Sequence, residues 1–216
     1  TLADALWQHR DVGSGAFLLD GVPSAAATLA ALARAAVTAE VAWADAAAAT
    51  IAAVPAPDTA PGDGLVGAAG GPLRLDTVAE WVRVLARAVR LVPDAEWTSR
   101  LDRLIDVLHG FRRADGQWRP WTGAGDLVLV DSAARACRAL LAAAETRDRP
   151  DEARAAIESL ETLVLPSYVR GAGVAHVLQH GTPRGPTLLD DAMHLAHALL
   201  DADAWRGDGV YRDLAE

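Results

Sequence analysis

Thr187-Leu188-Leu189-Asp190-Asp191-Ala192-Met193-His194-Leu195-Ala196-His197-Ala198-Leu199-Leu200 reads as an aliphatic pair, an acidic step and a helical run ending in leucine. The same outline recurs at Leu19-Asp20, Leu75-Asp76 and Val130-Asp131. Asp20, Asp76, Asp131 and Asp190 stand 56, 55 and 59 residues apart, the near-constant interval of an internal repeat. Two residues beyond each aspartate lie Val22, Val78, Ala133 and Ala192. Six beyond lie Ala26, Val82, Cys137 and Ala196, and nine beyond lie Leu29, Leu85, Leu140 and Leu199. Offsets of two, six and nine share one face of a 3.6-residue helix, so each copy offers an apolar stripe to a neighbour. The aspartate stands where an N-cap belongs, its carboxylate placed to accept the unpaired N–H groups of the first turn. Pro93-Asp94 and Pro150-Asp151-Glu152 open second helices, with acidic residues at the positive end of the helix dipole.

The expected unit is therefore a helical hairpin, present near residues 20–54, 76–108, 131–165 and 190–216. Leu2 to Trp7 reads as the tail of a further helix, and Val12-Gly13-Ser14-Gly15-Ala16-Phe17-Leu18 as a glycine-broken connection. Pro55 to Gly64 is a loop on composition. Phe111 to Trp121 contains Asp115-Gly116, a tight-turn signal. Pro166 to Thr187 is a long link carrying Gly171, Gly173, Gly181, Pro183, Gly185 and Pro186. Helix pairs alternating short and long glycine-rich links predict an all-α fold, an incomplete α/α toroid of about four hairpins spanning residues 1–216 as one domain. An open α-solenoid is the rival arrangement. The end hairpins, lacking polar caps, are expected to pack against further parts of a longer chain.

Half of the residues are apolar, and alanine, a strong helix former, supplies much of that share. Lysine is absent, so every fixed cation is arginine, which reads as the codon bias of a GC-rich bacterium. A net charge of −9 excludes nucleic acid as a partner, because phosphate neutralisation needs a basic patch. Arg112-Arg113 and Arg119 are bracketed by Asp115 and Asp126 and read as a solvated loop. No apolar run is long enough to span a membrane; Arg34, Glu40 and Asp45 break the alanine-rich region. The expected location is cytoplasmic. Cys137 alone provides no disulfide framework, and its place on the apolar stripe makes it a buried, inert thiol.

Three stretches resemble a known family: Leu6-Trp7-Gln8-His9-Arg10-Asp11, Leu32-Ala33-Arg34-Ala35 and Trp43-Ala44-Asp45-Ala46. So do Leu188-Leu189-Asp190-Asp191-Ala192, Leu199-Leu200-Asp201-Ala202 and Tyr211-Arg212-Asp213-Leu214-Ala215-Glu216. They look like the helical region of thioredoxin-domain-containing proteins of the spermatogenesis-associated-protein type. That resemblance implies a six-hairpin toroid similar to those of N-acylglucosamine epimerases and glycosidases. The thioredoxin cysteine pair is absent here. A second resemblance, of Gly116-Gln117-Trp118 to the repeat of terpene cyclases and prenyltransferases, rests on one copy with Arg112 where glutamine is expected.

Asp190, Asp191 and His194 form a carboxylate–imidazole group at a helix start, the residue types of acid–base catalysis; an N-cap aspartate, a dipole-complementing neighbour and an exposed histidine are the more economical reading. Trp118 and Trp121, with Arg119 and Asp131, are the candidate binding residues, indoles covering the apolar faces of a sugar at a cavity mouth. Anchoring a turn is the competing role for the tryptophans. His176/His180 and His194/His197 have helical spacing for metal ligands, but no carboxylate completes a set, so no metal or cofactor is expected. The functional expectation is a non-catalytic toroidal scaffold or one binding a small carbohydrate-like ligand. The alternative is an epimerase- or glycosidase-like carbohydrate-active enzyme, and a terpenoid-cyclase-like protein is more distant.

Overall fold

Polar and apolar faces of the helices set the layers. In α4 (Leu75–Leu91) and α6 (Val130–Arg147), Val78, Val82, Leu85, Ala133, Cys137 and Leu140 are all at most 3% exposed. These are the positions that the apolar offsets singled out. A computed structural model describes residues 2–54, 72–169 and 171–215. The expected loop from Pro55 to Gly64 lies outside the described residues. Besides α4 and α6 the chain forms α1 (Leu2–Gln8), α2 (Ala25–Thr38), α3 (Val41–Ala53), α5 (Ala95–His109), α7 (Pro150–Ser167), α8 (Leu189–Arg206) and α9 (Val210–Ala215). Packing runs α2–α4–α6–α8 along one layer. Within each hairpin the second helix, α3, α5, α7 or α9, backs the first. This is the inner and outer shell of an α/α toroid, with one apolar core between the shells. Among the described residues no helix is long and apolar enough to cross a membrane.

Asp76, Asp131 and Asp190 are each the second residue of their helix; the cap positions belong to Arg74, Leu129 and Leu188, which make no side-chain cap bond. The carboxylates thus complement the dipole from inside the first turn, and Asp76 accepts the Thr77 N–H at 2.8 Å. Side-chain N-caps do occur, at Ser24 and Asp94, which accept from Ala27 and Trp97 at 3.3 and 2.8 Å.

Asp20 departs from the expected repeat. With φ of 51° at Asp20 and 79° at Gly21, it makes the two-residue turn between β1 (Leu18–Leu19) and β2 (Val22–Pro23). Both turn residues need positive φ in such a hairpin, and Asp-Gly is a preferred pair there. The first helix consequently starts six residues later than its repeat counterpart. Ala26 is exposed, and Thr28, Ala31 and Leu32 are buried instead. Nearby, Trp7 packs on Trp43 at a centroid distance of 4.6 Å. Arg100, only 7% exposed, donates to the carbonyls of Ile51 and Val54, tying the end of α3 to α5.

The expected link from Pro166 to Thr187 is not an irregular connection: Pro166 and Ser167 end α7, and the rest carries a sheet. β5 (Gly173–Gln179) lies at its centre, antiparallel to β6 (Thr182–Thr187) on one edge. It also pairs antiparallel with β3 (Leu127–Leu129) through Val177 to Gln179 and with β4 (Tyr168–Val169) through Gly173 and Val174. His180 and Gly181, with φ of 51° and 71°, close the β5–β6 turn. Ala175 pairs with Thr187 and Val177 with Arg184, so Gly185 and Pro186 together face His176. This is a β-bulge, and Gly185 (φ 78°) supplies the left-handed residue it requires. Bulges and edge strands also tolerate proline's missing N–H.

Candidate functional site

A second register runs through the inner helices, on the face opposite the apolar stripe. At four, seven, eleven and fourteen residues past the first-turn aspartate, α4 places Glu80, Arg83, Arg87 and Arg90. In α6 these positions are Arg135, Arg138, Ala142 and Glu145. In α8 they are His194, His197, Asp201 and Ala204. The spacing keeps one face of a helix, so three polar stripes lie side by side along the inner wall.

At the N-terminal end of this wall, β5 delivers a histidine to α8. His176 Nδ1 lies 3.0 Å from both carboxylate oxygens of Asp191, whose side chain is 0% exposed. The β6 bulge lies opposite His176, and bulges increase the local twist of a strand pair. Asp191 Oδ1 also accepts the Asp131 backbone N–H at 3.2 Å, which ties α8 to the start of α6. Burial raises the Asp191 pKa above the usual carboxylate value; the bond and charge of His176 oppose this, and the Asp131 carboxylate adds to it. Asp191 is therefore an acceptor held by two N–H donors at the bottom of the site. Among the described residues His176 Nε2 has no hydrogen-bond partner, and the side chain is 31% exposed, so Nε2 is the ring nitrogen left for a ligand.

His194, one turn further along α8, has its pKa lowered by burial and then by Arg135, with Arg138 adding to the effect. Both causes favour the neutral imidazole. Its Nδ1 is buried and, among the described residues, has no hydrogen-bond partner. Arg135 lies 3.8 Å from Asp131 and donates to Glu80 at 3.2 Å, and Glu80 also accepts from Arg83 at 3.2 Å. Asp131, His176 and Asp191 have potential ligand atoms within 4.8 Å of one another, the spacing of a cation site. His176 Nδ1 and both Asp191 oxygens are already engaged with each other, however, and Arg135 faces Asp131. This donor set fits an internally hydrogen-bonded dyad better than a cation.

Toward the C-terminal ends of the inner helices the wall opens into a cleft of about 780 Å³. Arg83, Arg87, Arg90 and Arg138 line it, together with Glu145, Asp201 and Trp205, while Ala30 and Ala33 of α2 form the small-residue side.

The sequence-derived candidates are partly reassigned. Asp131 and Asp191 come together through the backbone bond just described, and His194 shares their wall. Asp190 is exposed and, among the described residues, forms no hydrogen bond or ion pair with the dyad. Trp118 is 1% exposed, with its indole against Cys137, so its ring cannot cover a sugar; it anchors the turn. Burial pushes the Cys137 thiol up to about 12. The Asp115-Gly116 hairpin is present, with Arg113 N–H donating to Gln117 at 2.8 Å and Gly116 at φ 85°. Trp121 is half-buried and pairs by a backbone bridge with Arg74 at the entry to α4, away from the cleft lining, and Arg119 is likewise absent from that lining. The tryptophan in the cleft is Trp205, 39% exposed. Its position directly after Ala204, the last residue of the α8 polar register, was the available signal. His176 could not be placed without the sheet, since fifteen residues separate it from Asp191.

No family model matches the chain, and no curated protein matches it. Solved structures do. A D-mannose isomerase superposes with a TM-score of 0.72 at 13% identity, over 87% of this chain and 56% of its own. An inactive double Asp→Asn variant of the α-1,6-mannanase GH76A of Salegentibacter sp. HEL1_6, in complex with α-1,6-mannotriose, gives 0.76 at 12% identity, over 99% of this chain and 66% of its own. The unsaturated glucuronyl hydrolase of Bacillus sp. GL1 gives 0.69 at 16% identity, over 95% and 67%. The fold is an α/α toroid. All three neighbours are six-hairpin toroids of glycosidase or isomerase type, and this chain spans between 56% and 67% of their lengths.

Proposed function

We propose that residues 1–216 form one toroidal domain that binds a sugar against the inner wall and moves a proton on it. The observation that carries this reading is the His176–Asp191 dyad, with a fully buried acid beneath a partly open imidazole. Because Asp191 accepts from Nδ1, His176 keeps the lone pair of Nε2 for an incoming C–H or O–H proton. Asp191 touches no substrate in this scheme; it is a positioning residue that orients the ring and stabilises the imidazolium as it forms. For a sugar in its open-chain form, Nε2 takes the proton from the carbon beside the carbonyl. The electron pair of that C–H bond moves into an enediol, and return of the proton to the neighbouring carbon completes an aldose–ketose interconversion. His194, neutral and close to Arg135 and Glu80, is placed to carry a hydroxyl proton in the same step.

Carboxylate-pair hydrolysis is less well supported. It needs two carboxyl groups that reach the substrate, and Asp191 is sealed under His176. The isomerase among the structural neighbours agrees in fold with the proton-transfer reading, whereas the mannanase and the glucuronyl hydrolase share the fold with a different chemistry in their names. The resemblance of Leu6–Asp11 and Leu188–Ala192 to thioredoxin-domain-containing proteins leads us to place this domain in such a protein; the neighbouring reading frame tests that placement.

Incubating the chain in D₂O with a panel of aldoses and ketoses, and reading deuterium at the carbons flanking the carbonyl, tests the chemistry. Incorporation should fall by about 10²–10⁴-fold in His176→Gln, the usual contribution of a positioned acid–base group, with thermal stability nearly unchanged. Absence of exchange with every sugar, or exchange indifferent to His176→Gln, would overturn the reading.

A further inference from the structure

The chain carries a net charge of −9, yet the cleft has a cationic bias. Four guanidiniums, Arg83, Arg87, Arg90 and Arg138, line it against two carboxylates, Glu145 and Asp201. Both carboxylates are engaged: Glu145 with Arg90 at 2.7 Å and Asp201 with Arg138 at 2.6 Å. Arg83 draws on Glu80 at 3.2 Å, but Glu80 is shared with Arg135, also at 3.2 Å. Arg87, one turn from both Arg83 and Arg90, is exposed in the cleft and has no carboxylate partner among the described residues. Burial, and then the neighbouring Arg138, lower the pKa of Arg83, against the opposing charges of Glu80 and Asp201.

An arginine fork matches a carboxylate or phosphate with two parallel N–H···O bonds, and a cleft lined by one sign of charge concentrates ligands of the other. The same cleft is lined by Trp205, 39% exposed, and indole faces cover the apolar side of a flat, hydroxylated ring well. Ala30, Ala33 and Ala142 leave room opposite. Arg83 and Arg138 stand seven residues past Asp76 and Asp131, about 10 Å of helical rise. Helix side chains lean back toward the N-terminus and close part of that gap to the histidine end.

We infer that the cleft takes an acidic sugar, with the anionic group held by Arg87 and Arg83 and the body of the sugar against Trp205. This rests on the reading of the wall as a sugar site. Two sources share the chemistry, a uronate and a phosphorylated sugar, and the measurement separates them.

Calorimetric titration of the whole chain with glucuronate, glucose 6-phosphate, glucose, mannose and inorganic phosphate tests the inference without relying on turnover. At least one acidic sugar should bind ten-fold or more tightly than its neutral counterpart, and less tightly as salt is raised. Arg87→Gln should remove that preference while leaving the melting temperature unchanged, and Arg87→Lys should restore part of it. The stronger of glucuronate and glucose 6-phosphate identifies the anion. Neutral sugars binding as well as acidic ones, or indifference to Arg87→Gln, would sink the inference and leave the proton-transfer reading standing. Inorganic phosphate binding as tightly as every sugar, with Trp205→Ala silent, would reduce the cleft to a plain anion site. No sugar binding at all would overturn both readings.

Discussion

The two long links of this molecule exchange the roles that their composition suggests. Phe111 to Trp121, rich in aromatic and charged residues, folds into a miniature hairpin whose Trp118 is buried against the core. Tyr168 to Thr187, rich in glycine and proline, builds a sheet that holds His176 over a buried acid. A large apolar ring gains most by leaving water, so it packs wherever space allows, and its presence in a link says little about ligands. A histidine opposite a bulge, bonded to a carboxylate sealed from solvent, is expensive to build and is not needed for packing. The acids that tie the two links down differ in the same way. Asp76 sits beside Arg74, whose backbone bridges to Trp121; burial works against its ionisation, but the Arg74 bond and charge outweigh this and its pKa lies below normal. Asp191 lies above normal.

Truncating the first link's anchor gives the largest contrast in stability. Trp118→Ala should destabilise the fold by roughly 3–5 kcal/mol, as for other fully buried tryptophans, while the exchange rate per folded molecule stays unchanged. A denaturant melt paired with the deuterium assay decides, and a stable but inactive variant would reverse the roles given to the two links.

The bulge is the next place to press. Gly185→Ala finds ordinary room, its new methyl 4.0 Å from the His176 Cβ, but must hold a φ of 78°. That strain costs about 1–2 kcal/mol. If the bulge aims His176, exchange should drop further than the stability loss explains, and kcat should fall more than KM rises. Equal activity per folded molecule would show that the strand orients His176 without the bulge.

The smallest effects are those of pH. Asp76 has a depressed pKa, so its stabilisation is present above about pH 4, its unfolded value, and is lost as pH falls through the lower folded value. Asp76→Asn should lose roughly 0.5–1 kcal/mol at neutral pH and be less sensitive to acid. Asp191 has the opposite sign. Its raised pKa means that stability declines as pH climbs from about 4 through the folded value, so Asp191→Asn should be no less stable than the parent at pH 7 although exchange falls. Melting both variants between pH 3 and 8 reads the two slopes, and slopes of the same sign would erase the distinction.

Much of the fold was legible because it rests on period. Val78, Val82 and Leu85 recur as Ala133, Cys137 and Leu140, and burial follows them. The polar register from Glu80 to Arg90, and its copies in α6 and α8, was equally periodic, yet charged positions on a helix read as solvated until a cavity is known to face them. Asp20 misled because Leu-Asp fitted the repeat, while Asp-Gly was the stronger local signal and fixed the turn. His180-Gly181 closes the same kind of turn with a less usual first residue, so β5 and β6 passed for a loop. Asp131 and Asp191 could be nominated, but their join to His176 depends on strand register, which no single-residue pattern carries.

Cys137 has a use that its inertness makes possible. It is the chain's one thiol, fully enclosed beneath Trp118, and its own ionisation is suppressed. A thiol reagent can meet it only during the moments when α6 separates from its neighbours. Where closing outpaces labelling, the labelling rate measures how often that separation occurs, at one known depth and without any added probe. The molecule thus contains a single-site gauge of its own breathing, read by mass and located behind the wall that carries the proposed chemistry.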